Sequence, residues 1–216
     1  ILSTVFMEAW HFSAVTEAQG DKSEHVLFYS KIWSAFQAAM FVSAALVIAF
    51  SQTEIRLLST DSYYSAWNYI PLLSAAMVFA SFSTFMGSVY VVTKKSMLSF
   101  WTAMVGAVLN IILNLLLIPS SLGIQGAAIA TFASYFVVFV MRVVSSRRLI
   151  PFRLYTRGII INSTVLAVQI AFIIYQFPMW QLAQAAGILL ILLFSYRPLL
   201  TGLTKLNELR LADHKD

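Results

Sequence analysis

The chain has no cysteine, only three histidines and few charges: Asp, Glu, Lys and Arg make up 11% of its 216 residues. Without cysteine it forms no disulfide and offers no thiolate nucleophile or metal ligand, although this absence identifies no compartment. His11, His25 and His214 lie far apart, and nothing has metal-ligand spacing. No Gly-x-x-x-x-Gly-Lys loop occurs, so the chain has no phosphate cradle with which to hydrolyse a nucleotide. Neither a soluble catalytic signature nor a cofactor motif is present, and the reading is not that of an enzyme. What fills the sequence is apolar. A hydrophobic content of 60% and a mean hydropathy of +0.81 exclude an ordinary soluble domain of this length.

A bilayer core takes about 20 mostly apolar residues in helical form. Stretches near 1–19, 27–50, 69–92, 97–118, 124–145, 158–177 and 181–200 meet or approach that requirement. Runs this long make helices and not barrel strands, so the expectation is an all-α, polytopic membrane bundle of about seven spans. Thirteen of the fourteen Lys and Arg residues fall at every second gap, and only Arg56 breaks the pattern. Short Lys/Arg-rich loops stay cytoplasmic, which places 20–26, 93–96, 146–157 and the tail inside, and 51–68, 119–123 and 178–180 outside. The net charge of +5 therefore marks topology and does not point to nucleic acid. Ile1 already lies in an apolar stretch, so the sequence is expected to continue a longer protein whose N-terminal part precedes it.

Two surface segments are expected. Tyr63, Tyr64, Trp67 and Tyr69 suit a headgroup layer, as a short surface helix leading into Pro71. Leu199, Leu203, Leu206 and Leu209 interleave with Lys205 and Arg210, as in an interfacial helix with snorkelling cations.

Ionisable side chains inside a span are costly, which makes them functional candidates. Glu8 lies about 16 Å from the cytoplasmic end of its helix, with His11 three residues on and nearly on the same face. The pair reads either as a proton or cation coupling site or as a hydrogen-bonded contact with neighbouring helices. Thr102, Gly106, Asn110 and Asn114 recur every four residues, as do Gly126, Ala130 and Ser134. Asn amides can meet sugar hydroxyls or join helices, whereas the small residues suit close packing. Asn162 and Gln169 share a further face. Asn110, Asn114, Asn162 and Gln169 are thus cavity-lining candidates.

The succession Gly87-Ser88-Val89-Tyr90, Thr93-Lys94-Lys95, Leu109-Asn110 to Asn114, Leu117-Ile118-Pro119 and Gly123-Ile124-Gln125-Gly126-Ala127-Ala128-Ile129-Ala130-Thr131 resembles a known family. It is similar to the C-terminal half of bacterial polysaccharide (O-antigen-type) flippases, of the multidrug/oligosaccharidyl-lipid/polysaccharide exporter superfamily. Phe28-Tyr29-Ser30-Lys31, after the helix bearing Trp10, adds to the likeness. It extends over most of 1–150 and fades beyond. The resemblance implies two six-helix lobes, with 1–150 forming part of the C-terminal lobe, 151–204 two extra C-terminal spans and 205–216 a cytoplasmic tail. It implies flipping of undecaprenyl-pyrophosphate-linked oligosaccharide across the bacterial plasma membrane by alternating access, coupled to H⁺ or Na⁺. The expected partners are membrane lipids and the polysaccharide assembly machinery.

One departure stands out. Such flippases often place Arg or Lys in the central cavity, whereas Arg142, near a cytoplasmic end, is expected to snorkel. The rivals are a multidrug/cation antiporter, a lipid II flippase and a membrane-embedded glycan polymerase. The polymerase would need a larger outer loop than 51–68, which offers only Glu54, Arg56 and Asp61. A membrane scaffold would leave the mid-depth Glu8 unexplained.

Overall fold

The computed structural model describes residues 22–213, with side-chain surroundings for 26–198 and Leu200. Every regular element there is helical: α1 Lys22–Leu58, a 3-10 helix Asp61–Asn68, α2 Ile70–Val92, α3 Ser96–Leu117, α4 Ile124–Leu149, α5 Thr156–Ile174 and α6 Trp180–Asp213. Five of them (Val26–Leu58 of α1, then α2 to α5) are long and apolar enough to cross a membrane. The stretch expected at 1–19, with Glu8, His11 and Glu17, lies outside the described residues. The span expected at 181–200 forms within α6.

Helix ends differ from the hydropathy reading. α1 has 37 residues, about 55 Å at 1.5 Å per residue, against a bilayer core of about 30 Å. Its end, Ser51-Gln-Thr-Glu-Ile-Arg-Leu-Leu58, contains neither Gly nor Pro, so nothing stops the helix where the apolar run stops. Beyond it, Tyr63, Tyr64 and Trp67 lie on the 3-10 helix, which has no buried residue. α6 likewise continues through Pro198 to Asp213, so the expected tail is helical from 205 to 213.

α2 is the central helix: 61% of its apolar window is buried, against 11% for α3 at the edge. Its Phe82 and Phe85 grip Trp33 of α1 at ring-centroid distances of 4.9 and 5.1 Å, and Phe79 and Phe82 meet Phe139 of α4. Each such pair adds about 0.5–1.5 kcal/mol beyond the area it buries. Phe152, Ile159, Leu166, Ile173 and Ile191 belong to the same core, so α5 and α6 close on α1 and share one interior with α2 and α4.

Two turns carry the path past the edge. Lys94 adopts φ 56° between α2 and α3, and Gly123 adopts φ 52°, ψ −129° ahead of α4, a conformation only glycine takes readily. Gly126 then abuts the end of α3. A Cβ there would stand 2.7 Å from the Leu117 carbonyl oxygen, so no larger residue fits without moving backbone. Most span hydroxyls bond back to their own helix, as Ser83 does to Phe79 and Thr131 to Ala127, which satisfies them without any partner helix.

Candidate functional site

The i, i+4 row of α4 that begins at Gly126 and Ala130 runs on through Ser134 and Val138 to Arg142, and it faces α3 along its length. Gly106 of α3 packs against Val138, and Thr102 of α3 meets Arg142. Rows of this kind seat one helix in the groove of another. Small residues bring the backbones together at one end, and the row ends on a guanidinium.

Arg142 does not snorkel as its position suggested. It is half-buried and turns inward. Nε donates to Thr102 Oγ1 at 2.9 Å and Nη1 to the Ser83 carbonyl oxygen at 2.8 Å. Nη2 reaches the carbonyl and hydroxyl oxygens of Ser99, both at 3.4 Å. Ser83 lies nine residues before the end of α2, about 14 Å along the helix. Gly87 eases the approach: a Cβ there would lie 3.0 Å from Nη1 and push the guanidinium back from that carbonyl by a few tenths of an ångström.

All these partners are neutral oxygens. A guanidinium has five N–H donors; with Nη2 facing both Ser99 oxygens, one N–H remains, on Nη1, and the positive charge is solvated but not neutralised. It borders a groove of about 540 Å³ between α2, α3 and α4, whose polar lining includes Ser83, Thr84, Asn110, Thr131 and Tyr135. That volume lies within the range of small-ligand sites, about 300–1,000 Å³. A guanidinium at one end and hydroxyls and an amide along the walls suit an anion that carries hydroxylated groups.

The sequence candidates separate into two places. Asn110 lines this groove. Asn114 does not, but its Nδ2 donates to the Asn110 Oδ1 at 3.0 Å and fixes that amide from behind. Asn162 and Gln169 lie elsewhere, buried on the face of α5 that meets α6. Gln169 and Gln184 exchange bonds with each other's backbone carbonyls, at 3.2 and 2.8 Å, over the bare backbone of Gly187. They join two helices and line no polar groove. Among the described residues no group of three His, Cys, Asp or Glu is placed to hold a metal ion.

Sequence reasoning missed Arg142 and Gly87. The signal was present: the small-residue row of α4, continued for two more steps of four, lands on Arg142.

The fold defines an all-α chain with several helices fit for a membrane, in which a polar groove holds one unneutralised cation. Comparison with protein-family models, with curated proteins and with solved structures finds no match.

Proposed function

We propose that the chain forms the C-terminal lobe and following helices of a transporter that flips lipid-linked oligosaccharide across the bacterial plasma membrane. The observation that carries this reading is the Arg142 guanidinium, held by neutral oxygens at the end of a polar groove. A pyrophosphate-linked substrate brings two needs, a cation for its phosphates and hydrogen-bonding walls for its sugars. Arg142 answers the first with its unneutralised charge and the N–H left on Nη1. Asn110, Thr131 and Tyr135 answer the second. No covalent bond need change: the reading is transport by alternating access, with the groove as part of a site presented to each face in turn. The order of motifs from Gly87 to Thr131 supports the same assignment. Glu8 and His11 are then the candidates for coupling to H⁺, with Na⁺ as the alternative ion.

An exporter of cationic drugs fits the groove less well, since its substrate would meet a like charge at Arg142. A lipid II flippase would need the same cation and differs in the sugar and peptide it carries. The test is Arg142→Gln and Arg142→Lys in the complete protein, with surface polysaccharide and transport in reconstituted vesicles as readouts. Both variants should reach normal membrane levels. Gln should reduce transport at least tenfold, and Lys, which cannot span the same four acceptors, should recover it only in part. Undiminished transport in Arg142→Gln would remove the basis of the proposal.

A further inference from the structure

A separate cavity of about 170 Å³ lies where α1, α5 and α6 meet. Gln37 and Asn162, only 5% and 3% exposed, form part of its wall. Each presents an atom without a hydrogen-bond partner: the Gln37 Nε2 donor and the Asn162 Oδ1 acceptor. The Asn162 Nδ2 reaches Ser195 Oγ at 3.4 Å. Pro198, also at the cavity and inside α6, has no N–H to give the carbonyl of Phe194. Buried polar atoms left unmatched in a membrane protein are costly, so a wall that gathers them is built for an occupant.

The outer rim has a different character. Arg157 is exposed in the first turn of α5, where backbone N–H groups have no intrahelical acceptor and favour negative charge. Asn162 lies five residues beyond Arg157 along α5, about 7.5 Å deeper. Thus an anion-binding rim leads to an inner wall that asks for both donors and acceptors. Hydroxyl groups meet that demand, because each donates and accepts. A pure water cluster would satisfy the wall, with space for about five molecules, but would make no use of Arg157.

We infer that this cavity binds a phosphorylated small polyol. Its phosphate sits at Arg157 and the start of α5, and its hydroxyls donate to Asn162 Oδ1 and accept from Gln37 Nε2. The same chemistry occurs in soluble glycerol 3-phosphate and in the headgroup of phosphatidylglycerol. This site is independent of the Arg142 groove and of the transport reading.

The experiment measures binding to the complete purified protein by native mass spectrometry and by ligand-induced shifts of thermal unfolding. The probes are glycerol 3-phosphate, inorganic phosphate, phosphatidylglycerol and phosphatidic acid. At least one glycerol-bearing probe should bind about tenfold more tightly than its counterpart without the headgroup polyol. A preference confined to phosphatidylglycerol assigns the site to lipid, and one confined to glycerol 3-phosphate assigns it to a solute. Asn162→Leu and Gln37→Leu should each lower that affinity about tenfold, and Arg157→Gln should weaken the phosphate probes as well. If Asn162→Leu does not accumulate, the milder Ser195→Ala carries the same expectation. Equal binding of the paired probes, no binding at all, or affinity unchanged in the wall variants would overturn the inference.

Discussion

Gly87→Ala is the most economical probe of the groove, because it separates stability from function. The new Cβ would lie 3.0 Å from Arg142 Nη1 and 3.8 Å from Cζ, closer to the nitrogen than ordinary packing allows. The guanidinium is the far end of a flexible side chain and can retreat by a few tenths of an ångström. That retreat strains the 2.8 Å bond to the Ser83 carbonyl. A hydrogen bond to a charged group contributes about 1.5–3 kcal/mol, and losing part of it costs about 1 kcal/mol. The expected effect is roughly a fivefold loss of substrate affinity or transport. Against this, exchanging Gly for Ala inside a helix favours the helix by up to about 1 kcal/mol. These two stability terms are similar and opposite in sign, so membrane abundance and resistance to thermal unfolding should hold while transport falls. The assay is flux in vesicles reconstituted with the complete protein, alone and combined with Arg142→Gln. In the double variant Gly87→Ala should add nothing, because the group it displaces is gone. Additive losses, or full transport in Gly87→Ala alone, would refute the idea that Gly87 eases the approach of Arg142.

Two further outcomes are expected. Gln169→Leu or Gln184→Leu alone should lower thermal stability by about 1 kcal/mol, because each removes one donor to the facing backbone carbonyl while the reciprocal bond survives, and the double substitution should lose about the sum; a double variant as stable as either single one would refute this. Glu8→Gln should impair transport by the complete protein at normal membrane level, and full activity in that variant would end the coupling role proposed for Glu8.

Apolar runs revealed α2, α3, α4 and α5 because a span of this length leaves little choice but a helix. Helix ends were less legible. Hydropathy falls at Ser51 and at Arg197, but the backbone follows propensity and continues to Leu58 and, past Pro198, to Asp213. A proline removes one bond without dictating a stop. Asn162 and Gln169 could be placed on one face, yet their partners, Ser195 and Gln184, belong to another helix and no spacing rule names them. Arg142 shows the same limit. Counting charges treats every Arg near a span end as a marker of sidedness. Whether one turns inward depends on a carbonyl at Ser83 and is eased by a missing Cβ at Gly87, both more than fifty residues away in sequence.

The connection at 150–155 is fastened to α1 at two points: the Arg153 N–H donates to Ser30 Oγ at 2.9 Å, and Trp33 Nε1 donates to the Leu154 carbonyl at 2.8 Å. The Trp33 ring is at the same time clasped by Phe82 and Phe85. Mechanically, one side chain is an axle shared by three parts of the chain. Any rotation of α1 against α2 must turn about it, and the leash to α5 is too short to be left behind. The last two helices are therefore cargo of α1, and a rocking motion of α1 would carry them as a single lever.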